Sequence, residues 1–252
     1  MKLIVNADDF GISKAVTLGI LEAHKNGIVK STTLMCNMED AEYAANLSKN
    51  YNDLGVGIHF VLTAGKPLSK DVQSLVDENG NFKSNSLIMK TAKIEDIRKE
   101  FNAQFEKFLS FGIKPTHIDS HHHVHKEPMV FEVVMEFSKK YNLPIRKVND
   151  KSIDKLKKLN KGMIFTEEFY GKENIESKNF INLLIKNKDT EFLEIMCHPA
   201  YLDEKILNSS SYLLERTKEL STLTSGEIKE YIKDNGKNGG GYTDYYFPKE
   251  GE

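Results

Sequence analysis

Cysteine is scarce in this sequence. Cys36 and Cys197 are the only two in 252 residues, and no cysteine pair has zinc-knuckle spacing. A disulfide scaffold and a thiolate zinc finger are therefore excluded. Long apolar runs are missing too. No segment approaches the ~18 consecutive apolar residues needed to span a bilayer. The apolar start Met1-Lys2-Leu3-Ile4-Val5 meets Asp8 and Asp9 far too early for a secretory segment. The expectation is a cytoplasmic protein with no membrane partner. Neither sign of charge dominates: 35 Lys and Arg against 37 Asp and Glu leave a formal charge of −2. No global field draws such a chain to nucleic acid or to an anionic surface.

What is present suits a folded core. A composition of 39% hydrophobic and 29% charged residues argues against disorder over most of the length. The length alone fits one large domain or two small ones. No Pro-, Gly- or Ser-rich linker divides the chain, so the expectation is a single domain over 1–252. β-rich runs at Leu3–Asn6, Thr32–Cys36, Leu54–Phe60, His117–Ile118, Pro144–Lys147, Met163–Phe165 and Phe192–Met196 alternate with amphipathic windows. The first helix is expected to start at Ser13 as N-cap, with Val16, Ile20 and Ala23 on one face, and to stop at Asn26-Gly27. Others are expected through Ile94–Phe108, from Pro128, over Ser177–Lys186 and over Ser225–Lys233. Such alternation is the pattern of a parallel α/β sheet, open or closed. Residues 63–86 lack periodicity and read as a loop excursion with a small hairpin near Asn79-Gly80. Residues 236–252, with Gly239-Gly240-Gly241-Tyr242, read as a tail, either flexible or docked.

Eight histidines stand out, five of them between His117 and His125. Four strand exits carry ionisable groups: Asn6-Ala7-Asp8-Asp9-Phe10-Gly11, Gly57-Ile58-His59-Phe60, His117–His125 and Cys197-His198-Pro199. In parallel α/β folds that edge faces the ligand crevice. Asp8 and Asp9 either cap the following helix or share a site in which a divalent cation compensates one carboxylate and leaves the other as a base. A histidine run embedded between core elements points to a metal more than to a solvated tract. His59 alone reads as a satisfied core residue, and gains weight only from the other three exits. Cys197 and His198 are neighbours on a strand, point to opposite faces and make a poor nucleophile–base pair. Cys197 reads as a buried, inert thiol, and His24 as incidental.

These blocks together resemble the YdjC family of carbohydrate deacetylases. The matching residues are Ile4–Gly11, Gly57–Thr63, Pro115–His125 and Met196–Pro199, with smaller matches at Asn26–Thr33 and Leu223-Thr224-Ser225. The resemblance implies an α/β fold, a distorted (β/α) barrel of TIM-like type similar to polysaccharide deacetylases. It implies removal of acetyl groups from N-acetylated sugars such as chitooligosaccharides, with release of acetate. It also implies that Asp9, His59 and His121 hold one divalent metal, with Asp8 as general base and His198 as general acid. Magnesium is the metal by resemblance, while two imidazoles and a carboxylate suit zinc or another transition metal better. A homodimer is carried over in the same way. Asp119, His123 and His125 are candidates for orienting the ligand rings. Arg146 either pairs with Asp8 and keeps it ionised or is a surface residue on the way into a helix. Two other function classes stay open: a metal-dependent phosphoesterase on the same residues, and a non-enzymatic metal- or sugar-binding protein.

Overall fold

The computed structural model describes residues 1–148, 163–236 and 238–242. Among the described residues seven strands form one parallel sheet: β1 (Lys2–Phe10), β2 (Ser31–Leu34), β3 (Gly55–Phe60), β4 (Ile118–Ser120), β5 (Met163–Thr166), β6 (Phe192–Cys197) and β7 (Asn238–Gly240). Their order is β4-β3-β2-β1-β6-β5. Strand β1 is central. It pairs with β6 from Lys2 to Ala7, with β2 from Asn6 to Phe10, and with β7 along Lys2–Ile4. Every β1 residue after Lys2 is buried, as expected of a parallel strand covered on both faces.

The helices follow the sequence pattern closely. In α1 (Lys14–Lys25) the Ser13 side chain accepts from the Val16 amide at 3.2 Å, and the helix closes at Asn26. After α2 (Ala41–Ser48) and the short α3 (Asn85–Thr91) comes α4 (Ile94–Ser110). Its Phe101 stacks on Phe60 of β3 at 4.1 Å, and its Phe105 meets Phe137 of α5 (Pro128–Tyr141) at 5.2 Å. Each such buried ring contributes roughly 1.5–3 kcal/mol. This aromatic layer fixes β3 from behind and so fixes His59 in front. α6 (Ser177–Lys186), α7 (Glu204–Ser209), α8 (Leu214–Leu223) and α9 (Gly226–Asp234) complete the described α-helices, and His121–Lys126 forms a 3-10 turn after β4. None is long and apolar enough to cross a membrane.

Two expectations are corrected, and one left open is decided in part. Pro144–Lys147 forms no strand: only Ile145 bridges to Ile118, because Pro144 has no amide hydrogen and offers only its carbonyl to Ile118. His24 is not incidental, since its ring is buried and bonds the Val29 carbonyl at 2.8 Å and Asp53 at 3.1 Å. Of the two readings of the tail, docking holds for its described part: Asn238–Gly240 is strand β7, and Tyr242 just after it is buried. The rest of the tail, 243–252, lies outside the described residues. Between β3 and α3 the chain has no helix or named strand, only a bridge joining Val76 to Phe82. Glu100 and Gln104 of α4 tie this span down by accepting from the Leu68, Ser69 and Val61 amides.

The sheet is strongly curled. Arg146 contacts Asp119 of β4 at 3.0 Å and Glu194 of β6 at 2.7 Å. Those strands are four steps apart, about 19 Å along a flat sheet. Alternation places Ile4, Asn6 and Asp8 of β1, His59 of β3, Asp119 of β4, and Glu194 and Met196 of β6 on the concave face. Gly57 lies there as well, and a Cβ on it would come within 2.5 Å of the His117 ring.

Candidate active site

In a regular strand Asp8 and Asp9 would point to opposite faces. β1 instead ends in an irregularity: its register against β2 shifts between Ala7 and Phe10, and Asp9 adopts a φ of 69°. A non-glycine residue in that region costs roughly 1–3 kcal/mol and persists only where its surroundings dictate it. Both carboxylates consequently line one cavity of about 1180 Å³ at the C-terminal mouth of the sheet.

Asp9, His59 and His121 each present a donor atom there, all within 4.8 Å of one another. His121 Nδ1 lies 3.0 Å from Asp9 Oδ1, and His59 Nε2 lies 3.6 Å from the same oxygen. That His59 nitrogen is buried with no hydrogen-bond partner among the described residues. Its other nitrogen, Nδ1, is 2.7 Å from Asp119 Oδ1 and 3.1 Å from Thr33 Oγ1. A buried imidazole locked at one nitrogen and bare at the other is the arrangement of a metal ligand backed by a carboxylate. One carboxylate and two imidazoles fit a divalent cation. The grouping Asp8, His59 and Asp119 also meets in space. There the Arg146 guanidinium already contacts both carboxylates, at 2.6 and 3.0 Å, and stands where a cation would.

Arg146 is fully buried, which decides between its two sequence readings. Its Nη1 and Nη2 donate to the two oxygens of Asp8 at 2.6 and 2.7 Å, and its Nε donates to Glu194. Asn6 Nδ2 adds a bond to Asp8 Oδ1 at 2.9 Å. Burial alone would raise the Asp8 carboxyl, but the Arg146 charge outweighs it and holds the group below its usual range. Burial likewise works against the charge on His59, yet Asp119 and Asp9 lift it to about 10. The imidazole is thereby held in its charged form, which a cation on Nε2 would have to displace.

His198 leaves β6 beside α1, where a Cβ on Gly19 would come within 2.5 Å of the Ala200 backbone. Its amide donates to Glu219, and its ring stands edge-on to Tyr170 and Tyr212 at 5.6 and 5.8 Å. His198 Nδ1 is buried without a partner among the described residues, and burial pushes the ring down to about 4. The ring is neutral at rest, where a ready acid would carry its proton. Glu219 also accepts from the Tyr212 hydroxyl at 2.6 Å, and burial raises it to about 8.

The remaining histidines divide. His121, His122 and His123 line the cavity. His123 Nε2 lies 3.1 Å from Glu167, away from the ligand rings. His125 meets Ser120 and the Arg146 carbonyl, so it braces the turn that carries Arg146 and orients no ligand ring. Asp119 does contact a proposed ligand, His59. Cys197 is buried, with its Sγ against the Asn6 carbonyl at 3.3 Å, and burial raises its thiol far above the ordinary range.

Sequence reasoning missed Arg216, whose Nη2 binds Asp9 Oδ2 at 2.6 Å, and it missed Glu219, Thr33 and Glu194. The signal for the first two was faint: Arg216, Glu219, Leu220 and Leu223 fall at helical spacing on one buried face of α8.

Comparison with known proteins finds similar chains and a similar fold. The family model described as YdjC-like protein matches residues 2–234. A carbohydrate deacetylase of Clostridium beijerinckii is 57% identical over 234 residues, covering 93% of this chain and 96% of that protein. A chitooligosaccharide deacetylase of Yersinia enterocolitica is 42% identical over 257 residues, covering 96% and 98%. An Enterococcus faecalis crystal structure, provisionally labelled a cellobiose-phosphate cleavage protein, superposes with a TM-score of 0.90 at 34% identity, covering 96% and 98%. A mutant CE4-family pseudoenzyme with restored activity shares the fold, with a TM-score of 0.52 at 12% identity over 97% of this chain and 67% of that one.

Proposed function

The chain belongs to the YdjC-like family, and from that premise we propose that it is a metal-dependent carbohydrate deacetylase that removes acetyl groups from N-acetylated sugars of the chitooligosaccharide type. The observation that carries the reading is the bare, buried His59 Nε2 beside Asp9 and His121, one strand position from an Asp8 that Arg146 keeps ionised. The cavity exceeds the ~300–1,000 Å³ of ordinary small-molecule clefts, which suits a substrate of more than one sugar ring.

Asp9, His59 and His121 are the residues we assign to the cation. When bound, it supplies Lewis acidity, activating water and stabilising charge on the acetyl oxygen. Asp8 accepts the proton as the water oxygen bonds to the acetyl carbon. The amide C–N bond then breaks, giving acetate and a sugar amine. His198 is the group assigned to protonate that amine. Since it is neutral at rest, it takes up that proton from solvent as negative charge develops beside it. Asp8 returns the proton it took from water to solvent once acetate has left, so the proton count closes. Tyr170 and Tyr212, stacked on each other at 4.3 Å and lining the cavity, offer aromatic surface to a sugar ring. The phosphoesterase alternative finds less support: of the cations lining the cavity, Arg216 is paired with Asp9 and Lys205 with Glu39 and Asp40, which leaves Lys66 to meet a phosphate.

The metal is magnesium by family resemblance, with zinc and cobalt favoured by the imidazole donors, and the assembly is a homodimer by the same resemblance. Acetate release should be measured over N-acetylated mono- and oligosaccharides with Mg²⁺, Zn²⁺, Co²⁺ and Ni²⁺ in turn, with sedimentation giving the oligomeric state. Turnover of at least one acetylated sugar is expected. Tight sugar binding without acetate release under any of these metals would overturn the reading.

A further inference from the structure

The short C-terminal strand β7 lies beyond residue 234, where the family match ends. It pairs along Lys2–Ile4, on the edge of β1 that β6 leaves open, and so carries the chain back to the floor of the curled sheet. Tyr242 follows at once and is fully buried against Ile4. Its ring lies flat on His117, with centroids 3.8 Å apart and planes 10° from parallel. Its hydroxyl donates to Glu194 Oε2. The other oxygen of that carboxylate accepts from Arg146 Nε at 2.7 Å, and the two outer nitrogens of Arg146 grip Asp8.

We propose that Tyr242 is a positioning residue for the reaction: through Glu194 it sets the plane of the Arg146 guanidinium, and through Arg146 it aims the Asp8 carboxylate. The inference rests on the deacetylase reading, in which Asp8 is the base. A guanidinium is planar and rigid, so holding Nε on one side fixes where both outer nitrogens point on the other. Three carboxylates, Asp8, Asp119 and Glu194, compete for this one cation. The Tyr242 hydroxyl is the donor that satisfies the Glu194 oxygen turned away from Arg146. Without it, a buried carboxylate oxygen loses a partner, and Glu194 meets its need by drawing on Arg146 or by taking a proton. Either response loosens the two-point grip on Asp8. Misplacement of a reacting group by about 1 Å can cost on the order of 100-fold in rate.

The test compares Tyr242→Phe, which keeps the ring on His117 and removes only the hydroxyl, with Glu194→Gln and the double variant. Acetate release from N-acetylated chitobiose is followed with metal at saturation. For Tyr242→Phe, kcat should fall roughly 10- to 100-fold, with KM and metal stoichiometry unchanged. In the Glu194→Gln background the same substitution should cost less than about two-fold, because the two residues act as one unit. A second readout needs no turnover. In metal-free protein the Arg146 Nε–H, identified by its loss in Arg146→Lys, should exchange with solvent at least about ten-fold faster in Tyr242→Phe. Wild-type kcat in Tyr242→Phe, or full additivity in the double variant, would overturn the proposal. So would a lowered melting temperature with kcat and Arg146 exchange both unchanged. Should the wild type release no acetate, the deacetylase reading fails, and Arg146 exchange still decides whether Tyr242 holds that side chain.

Discussion

The mouth and the floor of the concave face differ in how their acidic and basic groups are partnered. At the mouth, His59 Nε2, His198 Nδ1 and Arg216 Nη1 are buried without partners among the described residues. On the floor, Tyr242, Glu194 and Arg146 form a continuous chain of hydrogen bonds that ends on Asp8. Asn6 Oδ1, Ser31 Oγ and His117 Nε2 are exceptions there, and burial holds the His117 ring near 3 and neutral. Since an unsatisfied buried polar atom costs about 1–3 kcal/mol, a cluster of them at one end is a cost met where a ligand completes the set. The paired end is scaffold. The two regions meet at Asp8 and Asp119, and substitutions there should separate their roles most clearly.

The largest effect is expected from Asp8→Asn. It removes the proposed base while leaving Asp9, His59 and His121 intact, so acetate release should fall about 10²- to 10⁴-fold with metal still bound. Elemental analysis alongside turnover checks this, and near-normal activity would remove Asp8 from the chemistry. Next comes Asp119→Asn, which frees His59 Nδ1 from its carboxylate. Metal affinity measured by calorimetry should drop about 10- to 100-fold.

A smaller effect distinguishes the mouth by its protonation. His59 is lifted to about 10, so it is charged in metal-free protein at pH 7, and metal uptake there should release a proton. Titrations in two buffers of different ionisation enthalpy would count it. The same shift makes the His59 contribution to metal-free stability fully present below pH 6.5 and lost as pH rises through about 10. His198 has the opposite sign. Its folded value near 4 lies below 6.5, so the unfolded chain takes up a proton first, and stability is lost as pH falls from 6.5 toward 4. His198→Gln should flatten that acid limb by up to about 1.4 kcal/mol per pH unit. An unchanged slope in denaturant unfolding would show that the ring is not held neutral. The smallest change belongs to a position outside both regions. Ser13→Ala removes the cap on α1 and should cost about 1 kcal/mol of stability, with kcat within about two-fold of wild type.

Much of this was legible in the sequence. The run Leu3–Ala7 had to be a covered strand, the phenylalanines of Ile94–Phe108 fell at helical spacing, and the four ionisable strand exits converge at one mouth. Arg216 and Glu219 were not legible, because α8 is polar on average and its buried charges look like surface charges until Asp9 and His198 are opposite them. Tyr242 was hidden for another reason. A three-residue strand of Asn and Gly carries no alternation, and only the open edge of β1 recruits it.

The sequence by itself determined which residues are polar at the strand ends and which segments had to be strands or helices, since these depend on neighbours a few positions away. Tertiary structure alone decided that Asp8 and Asp9 share a face, through a backbone irregularity that no local pattern announces. It also decided that β4 and β6 curl toward a single arginine, and that His59 is charged while His198 is neutral. Those outcomes depend on burial and on charges more than fifty residues apart in the chain, such as Asp119 on His59 and Arg146 on Asp8. Two histidines of identical chemistry acquire opposite protonation because one meets a buried carboxylate at 2.7 Å and the other, at Nδ1, meets none.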